Sequence, residues 1–122
     1  MDKKMFNESA LISWKDVDSS GWQNIVGEII RMFFEVAPVQ YSFLKSSISS
    51  QSLSGVRIAA HTLKSSCGNV GAELAHSILD QIEKEADASE TKNLEKLLFE
   101  LDPIFNQSQA ELKIFLDKLY EA

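Results

Sequence analysis

The sequence predicts an all-α fold, an up-down antiparallel four-helix bundle preceded by a short extra N-terminal helix. Three observations predict it. Almost every stretch longer than ten residues repeats its apolar positions at steps of three and four, rather than alternating as a half-buried strand does. Only five Gly and two Pro interrupt 122 residues, too few to punctuate many short strands. The polar links between periodic stretches are short, and short links between long helices favour antiparallel neighbours.

Each element has its own signal. Residues from about Asn7 to Trp14 suit a short helix, with Phe6, Leu11 and Trp14 placed to pack on the domain. Asp16 to Gly21 is a turn-rich link whose Asp or Ser can cap the next helix. From Trp22, the positions Ile25, Val26, Ile29, Ile30, Phe33 and Phe34 mark an amphipathic helix, and the pattern resumes at Val39, Tyr41, Phe43, Leu44 and Ile48. Proline removes a backbone donor and disfavours helical geometry before it. One long helix is therefore expected, kinked near Pro38 and ending near Ser49. Ser49 to Ser52 forms a polar loop, and Ser52 or Ser54 can cap the third helix. That helix carries the stripe Val56, Ala60, Leu63, Cys67 and Val70, with Gly71 as a helix C-cap. The fourth helix runs to about Asp87, with Leu74, Ile78, Leu79, Ile82 and Ala86 inward. In the last, Leu94, Leu98, Leu101, Phe105, Ser108, Leu112, Phe115 and Leu119 continue one stripe through Pro103. The whole reads as a single domain, with residues 1–20 as an N-terminal segment and 21–120 as the bundle.

Composition narrows the function. Residues 1–72 carry seven basic and six acidic side chains, and residues 73–122 carry five basic and twelve acidic. An acidic chain without a basic stripe argues against nucleic acid as a direct partner. No apolar run is long enough to cross a bilayer and no secretory h-region follows the start, so a cytoplasmic protein with no membrane contact is expected. The single cysteine, Cys67, cannot form an internal disulfide and lies on the core stripe. The start at Met1 and short N-terminal extension suit a stand-alone protein, and a monomer is expected.

The chemistry concentrates on the third helix. At 100° per residue, His61 lies about 160° from Leu63 and so faces outward. Arg57 lies four residues before it and Lys64 three after, so both cations are helical neighbours of the ring. Ser65 and Gly68 leave the surface beside the imidazole almost bare, and Ile58 adds one apolar side chain. A neutral imidazole is a competent nucleophile at cellular pH, and flanking cations favour an anionic group on its nitrogen. A lone outward histidine is usually ordinary surface. Here the small neighbours and paired cations argue otherwise, as does Gly68, since a glycine inside a helix costs about 1 kcal/mol relative to alanine. Close approach by a partner is its expected cause.

His61, Leu63, Lys64, Ser66, Gly68, Val70, Gly71 and Ala72, together with Phe34-Glu35-Val36-Ala37-Pro38 upstream and Leu79 to Glu83 downstream, give the chain its resemblance. It resembles the histidine-containing phosphotransfer (HPt) domains of multistep two-component signalling over roughly residues 20–120. One departure is Ser65, where the family most often has Gly. The resemblance implies a phosphocarrier without autonomous catalytic activity. His61 would accept a phosphoryl group on Nε2 from a receiver-domain phosphoaspartate and pass it to another receiver's aspartate. It implies Lys64, Ser66 and Arg57 as phosphate-supporting residues and Ile58, Ser65 and Gly68 as the docking surface. The partners implied are receiver domains of a hybrid sensor kinase and a response regulator. No cofactor or metal is expected on this chain, which lacks a P-loop and a kinase signature; magnesium would belong to the receiver.

Two other readings compete. A docking module could use the same face to bind or inhibit a kinase or receiver without carrying phosphate. Glu73-x-x-His76 has the spacing of a di-iron carboxylate bundle, but such a site needs two of these motifs and two further carboxylates, and the chain has one.

Overall fold

The computed structural model describes residues 2–121. A short helix α1 (Ser9–Ile12) continues as a 3-10 turn (Ser13–Asp16), followed by α2 (Trp22–Ser49), α3 (Leu53–Val70), α4 (Glu73–Asp87) and α5 (Leu94–Lys118). Helices α2 to α5 form the up-down bundle. Each packs on the next, and α5 closes the ring against α2. Among the described residues there is no strand.

The helix α2 runs unbroken through Pro38. Its buried residues Ile30, Phe33, Ala37, Tyr41, Leu44 and Ile48 keep helical spacing on both sides of the proline. Burial of that stripe, at about 1.5–3 kcal/mol for each large side chain, offsets the hydrogen bond that proline removes. The helix α5 crosses Pro103 in the same way, with Leu101 and Phe105 both buried. The Ser52 side chain accepts the Gly55 N–H and caps α3. At the other end Gly71 takes φ +82, and the Ala72 N–H reaches the Cys67 carbonyl at 2.9 Å, the Schellman closure of a helix. Asp18 does not cap α2. It folds its own turn, accepting from the amides of Ser20 and Gly21.

Three inward faces differ from the sequence expectation. Val39 and Phe43 on α2 are exposed rather than core, at 65% and 42%. On α4, Ala75 is fully buried while Leu74 and Ile78 are only partly so. On α5, Leu97 is buried and Leu98 half-buried. On α4 the buried stripe is Ala75, Leu79, Ile82 and Ala86, and Leu74 and Ile78, each one residue before a member of that stripe, fall about 100° around the helix at its edge.

An N-terminal strap ties the end of the bundle. The Asn7 N–H donates to the Gly71 carbonyl at 2.8 Å and the Leu74 N–H to the Lys4 carbonyl at 3.0 Å. Glu73 accepts from the Lys4 amide and the Asn7 side chain, both at 3.0 Å, and Phe6 meets Phe115 edge to face. These bonds hold the Glu73 carboxyl below its ordinary range, that from Asn7 most strongly.

Candidate functional site

Helix α3 buries Val56, Ala60, Leu63, Cys67 and Val70 and thereby turns His61 outward, its side chain 65% exposed. Fully buried Leu63 and Ala60 fix the backbone beneath the ring. Alongside lies α4, antiparallel, and the two helices meet in a seam of four rungs. Arg57 Nε stands 4.0 Å from Asp87 Oδ1. His61 Nδ1 is 2.8 Å from Glu83 Oε2. Lys64 Nζ donates to Glu83 Oε1 at 2.5 Å and to Asp80 Oδ1 at 3.2 Å. At the last rung a side chain on Gly68 would come within 3.3 Å of the His76 ring.

The second rung decides the chemistry of the ring. An ionised carboxylate only accepts hydrogen bonds, so His61 Nδ1 carries the proton and donates it to Glu83. In the neutral imidazole the other nitrogen, Nε2, then holds the free lone pair. Glu83 is itself largely covered, its side chain 15% exposed. Burial pushes its carboxyl up, but hydrogen bonds from Lys64 and His61 outweigh that and leave it below the usual carboxylate range. The hydrogen bonds that Lys64 donates, to Glu83 and then to Asp80, raise its ammonium. Lys84 reinforces Asp80 from the next turn at 2.9 Å, and with Lys64 lowers its carboxyl.

The sequence-predicted residues are thus sorted. Arg57, His61 and Lys64 share the α3–α4 seam. Ser65 is exposed next to His61 and its hydroxyl donates to the His61 carbonyl at 3.2 Å. Ile58 is 54% exposed on the same side. Ser66 is not brought to the ring: its hydroxyl donates to the Thr62 carbonyl, and it lines a groove of about 600 Å³ with Trp14, Met32 and Val36. Gly68 has a reason within the fold, the His76 ring packed above it. Cys67 is fully buried, and its thiol is pushed up to about 12, which keeps it unreactive.

Glu83 and Asp80 were not foreseen as site residues. Nor was the solvent-facing stripe on α2, where Met32, Val36, Val39 and Phe43 recur at steps of four, three and four; Met32 is 64% exposed. Glu73 is occupied by the strap, and among the described residues no group of three or more His, Cys, Asp or Glu is placed to hold a metal ion. No helix among them is long and apolar enough to cross a membrane.

Fold and site define a helical bundle that presents one exposed, carboxylate-oriented histidine from a rigid helix face. The sequence profile of the Hpt domain matches residues 28–121, and the chain belongs to that family, whose function is histidine phosphotransfer in phosphorelays. The crystal structure of histidine-containing phosphotransfer protein B (HptB) from Pseudomonas aeruginosa PAO1 superposes with a TM-score of 0.81. The match covers 96% of this chain and 98% of that one at 16% identity, a likeness of fold. Among curated proteins no sequence match is found.

Proposed function

We propose that His61 is the phosphorylated residue, accepting the phosphoryl group of a receiver-domain phosphoaspartate and returning it to the aspartate of a second receiver. The observation that carries this reading is the bond from Nδ1 to Glu83, which leaves Nε2 as the nucleophile on the exposed side of the ring. In the forward step the Nε2 lone pair attacks phosphorus, and the P–O bond to the receiver's carboxylate breaks with its electrons left on oxygen. Phosphoryl transfer needs in-line positioning and positive charge near the equatorial oxygens. Lys64 supplies charge beside the ring, and its ammonium, with three hydrogens and two carboxylate bonds, keeps one donor free. Arg57 adds a second cation one turn away. Ser66, turned toward α2, has no part at the phosphate.

Docking would use the surface around His61. Ser65 and Gly68 keep it low, and Ile58 with the α2 stripe Met32, Val36, Val39 and Phe43 offers apolar area of the kind interfaces bury. The partners in this reading are the receiver domains of a hybrid sensor kinase and of a response regulator, which bring the magnesium. The chain itself acts as a cytoplasmic monomeric carrier, not an enzyme. Incubation with a phosphorylated receiver and magnesium tests it: acid-labile, base-stable label should appear on the wild type and be absent from His61→Gln. Binding without label would favour a docking module instead.

A further inference from the structure

The carboxylate behind His61 does more than select the attacking nitrogen; we infer that Glu83 sets how readily the stored phosphoryl group leaves. This rests on the phosphocarrier reading above. When neutral imidazole attacks through Nε2, the product is a phosphoimidazolium with its proton still on Nδ1 and one positive charge on the ring. That species has two fates. Loss of the Nδ1 proton gives a neutral phosphoimidazole, a poor leaving group because the departing ring would carry a negative charge. Retention of the proton lets the P–N bond break with its electron pair returning to Nε2, and the ring departs as neutral imidazole. The acceptor, a carboxylate or water, supplies the new P–O bond.

The position of Glu83 favours the second fate. Its Oε2 lies 2.8 Å from Nδ1, and among the described residues it makes the only ion pair with the ring. Hydrogen bonds from Lys64 and His61 keep the carboxyl ionised against the burial that opposes it, so it remains an anion wherever the phosphoimidazolium titrates. Other charges near the ring largely cancel. Lys64 is shared between Glu83 and Asp80, Lys84 answers Asp80, and Arg57 answers Asp87 across 4.0 Å, so the three cations and the three carboxylates of the seam balance. The direct contact therefore dominates. For unit charges about 4 Å apart in water-like surroundings the Coulomb attraction is about 1 kcal/mol, so removing the carboxylate should move the rate-against-pH midpoint of the phosphorylated chain by about one pH unit. With the carboxylate in place, the labile form is extended upward in pH by the same amount.

Phosphoramidate, a small N–P donor, can load His61 without any receiver, and the rate of phosphate loss can be followed from about pH 5 to pH 9 on wild type, Glu83→Gln and Glu83→Ala. The amide of Glu83→Gln keeps the shape and a hydrogen-bond acceptor while removing the charge, and a melting curve confirms that each variant is folded. The expected result is a rate-against-pH midpoint lower by about one unit in both variants, with phosphate loss near neutral pH slowed about tenfold. Equal midpoints and equal rates in loaded wild type and Glu83→Gln would overturn the inference while leaving the carrier reading intact. A chain that takes no phosphoryl group at His61 would overturn both.

Discussion

Gly71→Ala should destabilise the domain by about 2–3 kcal/mol, and the structure gives the parts of that figure. Gly71 stands at φ +82, a left-handed conformation that costs an L-residue about 1–2 kcal/mol. A Cβ there would collide with the Asn7 carbonyl oxygen and lie 3.2 Å from Ala10 Cβ. The collision is with backbone, so the strap must move and the 2.8 Å bond from the Asn7 amide to the Gly71 carbonyl is lost. That bond contributes about 1 kcal/mol net. For a chain of this length the sum lowers the melting temperature by about 10 °C. Circular dichroism melts measure the shift, and amide exchange should show Asn7 and Leu74 losing protection first. A melt within about 2 °C of wild type, with Asn7 still protected, would refute the strap as a fixed part of the fold.

Other expectations follow from the same geometry. Ser65→Arg should block receiver docking beside His61 and cut receiver-dependent phosphorylation by at least about tenfold, a loss of about 1.4 kcal/mol of transition-state binding, while loading by phosphoramidate persists; equal loss of both would mean that Ser65 acts on the ring rather than on docking. Stability should also respond to acid with a defined sign. The carboxyls of Glu83, Asp80 and Glu73 lie below their ordinary range in the folded chain, so their contribution is complete above the unfolded carboxylate values of about 4 and fades as pH falls through the lower folded values. Lys64, raised by Glu83 and Asp80, contributes fully below about 10.4 and loses its part only as pH rises through its raised value. Denaturant midpoints should hence be flat between about pH 5 and pH 9 and fall on the acid side. A midpoint that rises on acidification would contradict the seam.

Much of this was legible in the residues. The helices, the two prolines inside them, the Ser52 cap and the Gly71 C-cap all rest on local rules, and local rules survive into the fold. The outward direction of His61 follows from five apolar residues on one stripe. What periodicity could not fix was how each stripe divides between two neighbours. Val39 and Phe43 fit the period of α2 yet lie on its open side, and Leu98 yields to Leu97 because α5 packs against both α4 and α2. Such choices depend on where the next helix lies.

Glu83 was missed for a related reason, since a partner 22 residues away in sequence leaves no mark in any single-helix pattern. A mark does exist between helices. Arg57 and Asp87, His61 and Glu83, Lys64 and Asp80, and Gly68 and His76 are all equally spaced about Ala72, as antiparallel helices joined at a tight turn require. Acidic residues 80, 83 and 87 repeat in reverse the steps of residues 57, 61 and 64. Part of the acidic half of the chain, Asp80, Glu83 and Asp87, neutralises and orients the basic face of α3.

The most direct test is transfer itself. A receiver domain loaded with phosphate on its aspartate, in the presence of magnesium, should pass label to the wild-type chain, and a second unlabelled receiver should then remove it. His61→Gln, which keeps a polar side chain but has no nucleophilic ring nitrogen, should take none while melting like wild type. Label on His61→Gln equal to that on wild type would place the phosphoryl group elsewhere and contradict the role assigned to this histidine.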